Sequence, residues 1–260
     1  SGLEVALKIL KASRVQTGLV RFRREFRALA RLQHANVIRV DSYGDLFGHP
    51  YIAMEYVEGR DLKQTMKKSR KSGAPIGVWQ AVYIAMEVSK ALQYAHSRTH
   101  KGRPLNIVHR DVSPQNVMIS YSGEVKIMDF GIAKAAERST KTRAGTVKGK
   151  CAYMSPEQAR GKPLDHRSDL FALGIILWEL LTRKRLFAGE TDFETLSNVL
   201  KCSVEPPSSY NPKVPAELDD IISRILVKNA NNRYSDCNVL HRDLSPGAQP
   251  VSADGHAARV

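Results

Sequence analysis

The stretch HRDVSPQN, from His109 to Asn116, followed after the strand-like run VMISYSGEVKIM by Asp129-Phe130-Gly131, constrains this chain more than any other. Asp111 and Asn116 lie five positions apart on one loop, and Asp129 opens a second loop thirteen positions after Asn116. Three oxygen-bearing side chains so spaced can converge on one small volume. Moving a phosphoryl group from a nucleotide to a hydroxyl needs that set: a carboxylate to accept the proton and align the attack, and two hard oxygen ligands for Mg²⁺. The tripeptide alone carries little weight, because it recurs as His241-Arg242-Asp243. The second copy has Ala248 where the metal-binding Asn belongs and no DFG after it, so it reads as a chance match.

The first copy is preceded by the strand-like VALK with Lys8 and followed, in order, by DFG and Ser155-Pro156-Glu157. With these partners the chain resembles a bacterial eukaryotic-like (Hanks-type) serine/threonine protein kinase domain from Val5 to about Val239. The resemblance implies an α+β, two-lobed protein kinase fold. Its small β-rich N-lobe, incomplete here, would span 1–57, its mainly helical C-lobe 58–244, and a disordered Gly-, Pro- and Ala-rich tail 245–260. It further implies Asp111 as base, Asn116 and Asp129 on Mg²⁺ (or Mn²⁺), and Lys8 at the α- and β-phosphates of ATP. His109 would be structural.

Apolar residues at Phe22, Phe26, Leu29 and Leu32 have helical spacing, and Glu25 is the acidic residue among them. By the resemblance Glu25 pairs with Lys8; a surface salt bridge with Arg21 or Arg24 is the other reading. SYGDLFGHPYIAMEYVEGRDL reads as a hairpin entering a linker. The family places the adenine pocket there, with Met54 as gatekeeper, Glu55 to Val57 offering backbone groups, and Ala6 and Met118 lining it. Asp61 would meet the ribose or cap a helix beginning at Leu62. VWQAVYIAMEVSKALQYAHS reads as a long helix under the catalytic loop, with the basic insert RTHKGRPLN and a strand leading to His109. Glu157 should pair with Arg233, and Asp169 should cap the helix of LFALGIILWELL and anchor the catalytic-loop backbone.

The segment from Asp129 to Glu157 carries Ser139, Thr140, Thr142 and Thr146. The resemblance makes Thr146 or Thr142 a candidate for self-phosphorylation, with Arg110 as the partner of the phosphate. Three departures from the family pattern stand out. Ser113 occupies the place of a lysine that steadies the γ-phosphate, and Lys150 occupies the place of a threonine in the loop that would lie beside it. Lys150 is therefore expected to replace the missing ammonium; the other reading has Lys150 facing solvent in a catalytically weak domain. No GxGxxG precedes Lys8, so the chain is either an inactive fragment or a kinase with an N-lobe incomplete by nature.

Composition leaves these readings standing. The net charge of +14 favours polyanions, yet the basic residues are dispersed without a nucleic-acid motif, so no specific nucleic acid is expected. LFALGIILWELL is too short for a membrane span and contains Glu179. Cys151, Cys202 and Cys237 lack CxxC spacing and suit a reducing cytoplasm. The expected partner is a protein substrate with a Ser or Thr acceptor. A nucleotide-binding scaffold that turns over poorly, and a small-molecule phosphotransferase, are the competing readings.

Overall fold

The computed structural model describes residues 4–10, 19–20, 22–23, 26, 29–130 and 151–245. Strand β1 (Val5–Ile9) pairs antiparallel with β3 (His49–Glu55), which also pairs with β2 (Val40–Leu46), giving the order β1-β3-β2. The β2–β3 turn is Phe47-Gly48 with φ of 51° and 79°. Two successive positive φ values match the right-handed twist of a two-residue hairpin, and glycine adopts one of them without strain. In β1, Val5, Leu7 and Ile9 face out, while Ala6 and Lys8 share the other face and stand opposite Met54 and Ile52. Period-two alternation thus delivers Lys8 to the same surface as buried Met54.

Phe22, Leu29 and Leu32 are buried, and the Phe22 and Phe26 rings lie 6.1 and 5.6 Å from that of Tyr43 in β2. The chain then joins the rest of the core through Asn36. Its side-chain amide donates to Val125 O (2.9 Å) and Glu87 Oε2 (2.7 Å), and its carbonyl accepts from Ile127 N (2.8 Å).

Beyond β4 (Gly59–Asp61), helix α1 (Leu62–Ser72) starts at Asp61, whose carboxylate accepts from Gln64 N (2.8 Å). The helix runs through KKSRKS because lysine and arginine are good helix formers. It stops at Gly73, φ 70°, in the left-handed cap position that suits glycine. Helix α2 (Val78–His96) follows as expected. The basic insert forms a two-stranded ribbon, β5 (Thr99–His100) and β6 (Arg103–Pro104). No strand leads to His109, contrary to expectation: the His109 and Arg110 amides donate to a side chain instead of a ladder. After the 3-10 turn Pro114–Asn116 come β7 (Val117–Ser120) and β8 (Val125–Ile127), in the order β4-β7-β8.

Short helix α3 (Pro156–Ala159) precedes α4 (Arg167–Thr182), in which every residue from Ser168 to Thr182 is buried. A helix apolar around its whole circumference belongs at the centre of a core. Among the described residues no helix is long and apolar enough to cross a membrane. At Gly174 a Cβ would come within 2.7 Å of Ile225, so the glycine lets α6 (Ala216–Ile225) approach α4 closely. Helix α5 (Asp192–Lys201) lies between these two in sequence. The last helix, α7 (Cys237–Leu244), contains the second HRD: His241 meets Ser89 Oγ at 3.1 Å and Asp243 meets Arg224 at 3.5 Å. That copy is a packing element. The expected tail lies, from residue 246, outside the described residues.

Candidate active site

Asp169, in the first turn of α4, fixes the loop that carries Asp111. Its carboxylate accepts from His109 N (2.7 Å), Arg110 N (2.8 Å) and His96 Nε2 (2.8 Å). It anchors the loop as expected but caps nothing, since His166 occupies the N-cap position. Burial pushes the Asp169 carboxyl up, yet the His96 ring, aided by the amide donors, outweighs burial and holds it below 3.8. The three donors hold Arg110 at φ 66°, a left-handed conformation that side chains avoid unless their surroundings impose it. The Gln158 amide adds a bond to Arg110 O (3.0 Å).

His109 is buried, and burial pulls its pKa below 6.5. Its Nδ1 accepts from Asp111 N (3.2 Å) while Nε2 meets Met128 O at 3.0 Å, a pattern that requires the neutral Nε2–H tautomer. The ring also lies 4.4 Å from Phe130. His109 therefore ties the loop of Asp111 to the loop of Asp129 and moves no proton.

Asn116 donates its side-chain amide to Asp111 O (2.7 Å) and Oδ2 (3.2 Å), and its carbonyl accepts from Met128 N (2.9 Å). Committing Nδ2 to Asp111 fixes the amide orientation and leaves Oδ1 as an acceptor. Asp129, at φ 58°, meets Lys8 Nζ at 2.7 Å. An amide oxygen and a carboxylate form a hard-oxygen donor set, which fits Mg²⁺. Asp111 and Asn116 on one loop, Asp129 on a second and Lys8 on β1 are thus drawn together from three separate stretches of sequence.

Met54 is buried at the end of β3, opposite half-buried Ala6. Glu55 is held by Lys126 Nζ (3.1 Å) and by Arg39 N (2.9 Å), and Val57 and Met118 are half-buried. The Asp61 carboxylate caps α1. Ser113 is buried, and its hydroxyl makes no hydrogen bond with the described residues. Glu25, Lys150, Thr142 and Thr146 lie outside the described residues. His96 and Gln158 escaped the sequence reading, because each acts through a distant carboxylate or backbone carbonyl and has no motif spacing. A polar side chain at the end of the apolar α2 was the available signal for His96.

Glu157 takes two bonds from Arg233, at 2.7 and 2.9 Å, and one from Ser168 Oγ at 2.8 Å. Arg233 also donates to Val227 O and Lys228 O, so the buried guanidinium is well bonded. Burial raises the Glu157 pKa, but the Arg233 pairing wins and the carboxyl lies below 4.5. A depressed folded-state pKa contributes stability that is complete above pH 4.5 and fades as pH falls through the folded value. Thermal unfolding should therefore lose midpoint temperature on acidification below pH 4.5, and less steeply in Glu157→Gln. Equal slopes for the two proteins would rule the pair out as a source of acid sensitivity.

At the far end of α4, buried Glu179 accepts from Tyr153 Oη (2.8 Å) and Arg185 Nε (2.9 Å). Burial holds its carboxyl above 4.5 despite the arginine. This contact ties the segment before α3 to the same helix that carries Asp169.

A family model described as "Protein kinase domain" matches residues 1–245. The chain is 41% identical over 214 residues to a protein named tyrosine-protein kinase MasK of Myxococcus xanthus, covering 82% of this chain and 33% of that protein. It is 36% identical to the serine/threonine-protein kinase PknB of Mycobacterium leprae, covering 93% and 38%. Among solved structures, the Mycobacterium tuberculosis PknI kinase domain matches with a TM-score of 0.67 at 27% identity, over 92% of this chain and 84% of that one. The chain spans between a third and two fifths of the length of these curated relatives.

Proposed function

Because the chain belongs to the protein kinase domain family, we propose that it transfers the γ-phosphate of ATP to serine or threonine hydroxyls of proteins, with Asp111 as base. The observation that carries this reading is the convergence of Asp111, Asn116, Asp129 and Lys8, with Asn116 bonded to Asp111 and Lys8 to Asp129.

Asp111 accepts the proton of the acceptor hydroxyl and aligns its oxygen for attack. The Asn116 oxygen and Asp129 carboxylate would hold Mg²⁺, which would offset the negative charge of the phosphates. Lys8 sits at the α- and β-phosphates of ATP, with Glu25 as its partner. Adenine lies against Ala6, Met54 and Met118, with the backbone from Glu55 to Val57 along its edge and Asp61 at the ribose. Positioning and fixed electrostatics supply most of the barrier lowering. Phosphorylation of Thr146 or Thr142, bridged to Arg110, orders the segment that follows Asp129. The protein works in the cytoplasm.

Lys150 supplies the ammonium missing at Ser113. The support is the buried Ser113 hydroxyl, which makes no hydrogen bond with the described residues where the family pattern has a lysine. Lys150→Met should lower turnover about a hundredfold with little change in ATP affinity, as expected of a contact made chiefly in the transition state. A rate within twofold of the parent defeats this assignment.

The reading is tested with radiolabelled ATP and Mg²⁺, on this chain and on a version extended upstream, followed by phosphoamino-acid analysis. Labelled phosphoserine or phosphothreonine supports it. Phosphotyrosine alone favours a second reading, a tyrosine acceptor, to which the name of the 41% identical relative points. ATP binding with no labelling of either version favours a scaffold.

A further inference from the structure

Helix α1 carries Lys63, Lys67, Lys68, Arg70 and Lys71, all exposed, and no acidic residue. Arg60, Gln64, Lys67, Lys68, Lys71 and Ser72 line one open groove of about 500 Å³. None of Lys63, Lys67, Lys68 and Lys71 forms an ion pair with the described residues. The nearest acid in sequence, Asp61, is engaged in capping the helix. Like charges one turn apart repel, and such a face lowers its energy by taking up negative charge from outside.

Position gives the groove its meaning. Helix α1, whose Leu62 and Met66 are buried, packs against the 3-10 turn Pro114–Asn116 of the catalytic loop. A segment held on the outer side is therefore tethered close to Asp111. From Lys63 to Lys71 the helix advances about 12 Å, which an extended peptide covers in about four residues.

We propose that this groove docks an Asp/Glu-rich segment of the protein substrate, raising the local concentration of its acceptor hydroxyl at Asp111. The proposal rests on the protein-kinase reading for the identity of the occupant, but binding at the groove requires no phosphate transfer. A polypeptide is favoured over nucleic acid because none of the lining residues is aromatic, and exposed Tyr121, whose hydroxyl accepts from Arg60 Nε (3.3 Å), is a single platform, too little to stack a run of bases. It is favoured over a lipid surface because the lining offers no apolar side chain to insert.

The test is fluorescence anisotropy with a labelled oligoglutamate peptide, without ATP. The parent should bind, more weakly as salt rises, and Lys67→Glu/Lys68→Glu/Lys71→Glu should bind about tenfold more weakly or worse. A charge-matched control, Lys201→Glu/Lys213→Glu/Lys228→Glu, should retain near-parent affinity, and circular dichroism should be the same for all three proteins. Loss in both variants, or in neither, overturns the proposal. So does tighter binding by the parent to a single-stranded oligonucleotide or to phosphatidylserine vesicles than to the peptide. Because the readout omits transfer, a failed labelling assay and a failed docking assay are separate results.

Discussion

Asp111→Asn is expected to slow phosphate transfer by about a thousandfold, within the range that a positioned general base contributes. The substitution keeps the side-chain shape but removes the negative charge and with it the capacity to take a proton; the amide still has one oxygen to accept from Asn116 Nδ2, which lies 3.2 Å from Asp111 Oδ2. The backbone contacts that set the loop do not involve the exchanged group: Asn116 Nδ2 bonds Asp111 O at 2.7 Å and Asp111 N bonds His109 Nδ1 at 3.2 Å. The melting temperature and ATP affinity should therefore stay close to the parent values. Initial rates of labelled γ-phosphate transfer, taken beside a thermal melt, decide the matter. A variant that folds normally and transfers phosphate within tenfold of the parent removes Asp111 from the proton step.

Asp169→Ala should destabilise the domain by about 3–5 kcal/mol, the loss typical when one partner of a buried charged network is removed. The His109 and Arg110 amides and the His96 ring would each lose their acceptor inside the core. Activity should fall further than stability explains. With its clamp gone, Arg110 can leave φ 66° and carry Asp111 out of line. Urea denaturation gives the first quantity, and transfer assays well below the unfolding transition give the second. Asp169→Asn, which retains an acceptor, should fall between parent and alanine. A loss under about 1 kcal/mol for alanine would mean that the loop finds other acceptors.

The parts of the site legible in the sequence were those with short-range spacing or a strong side-chain identity. Asp111, Asn116 and Asp129 are brought together as their loops suggest, and the Glu157–Arg233 pair forms across 76 positions. The period of Phe22, Leu29 and Leu32 marks one buried face. Legibility failed where a side chain satisfies backbone groups. The expected strand before His109 is absent because Asp169 supplies acceptors that a neighbouring strand would otherwise provide. His96, Gln158 and Asn36 act in the same way, on a carboxylate or carbonyl far away in sequence. Residue type alone does not say which distant peptide group such a side chain will meet.

Helix α4 holds the catalytic loop through Asp169, the Glu157–Arg233 pair through Ser168, and the segment before α3 through Glu179. A fully buried helix moves as one stiff rod, so its three attachments share a single frame of reference. Thermal excursions of the rod carry all three in step and leave the distances between them nearly unchanged. Registration between the proton-accepting carboxylate and the segment around Tyr153 is therefore kept by common motion, and immobility is not required of either.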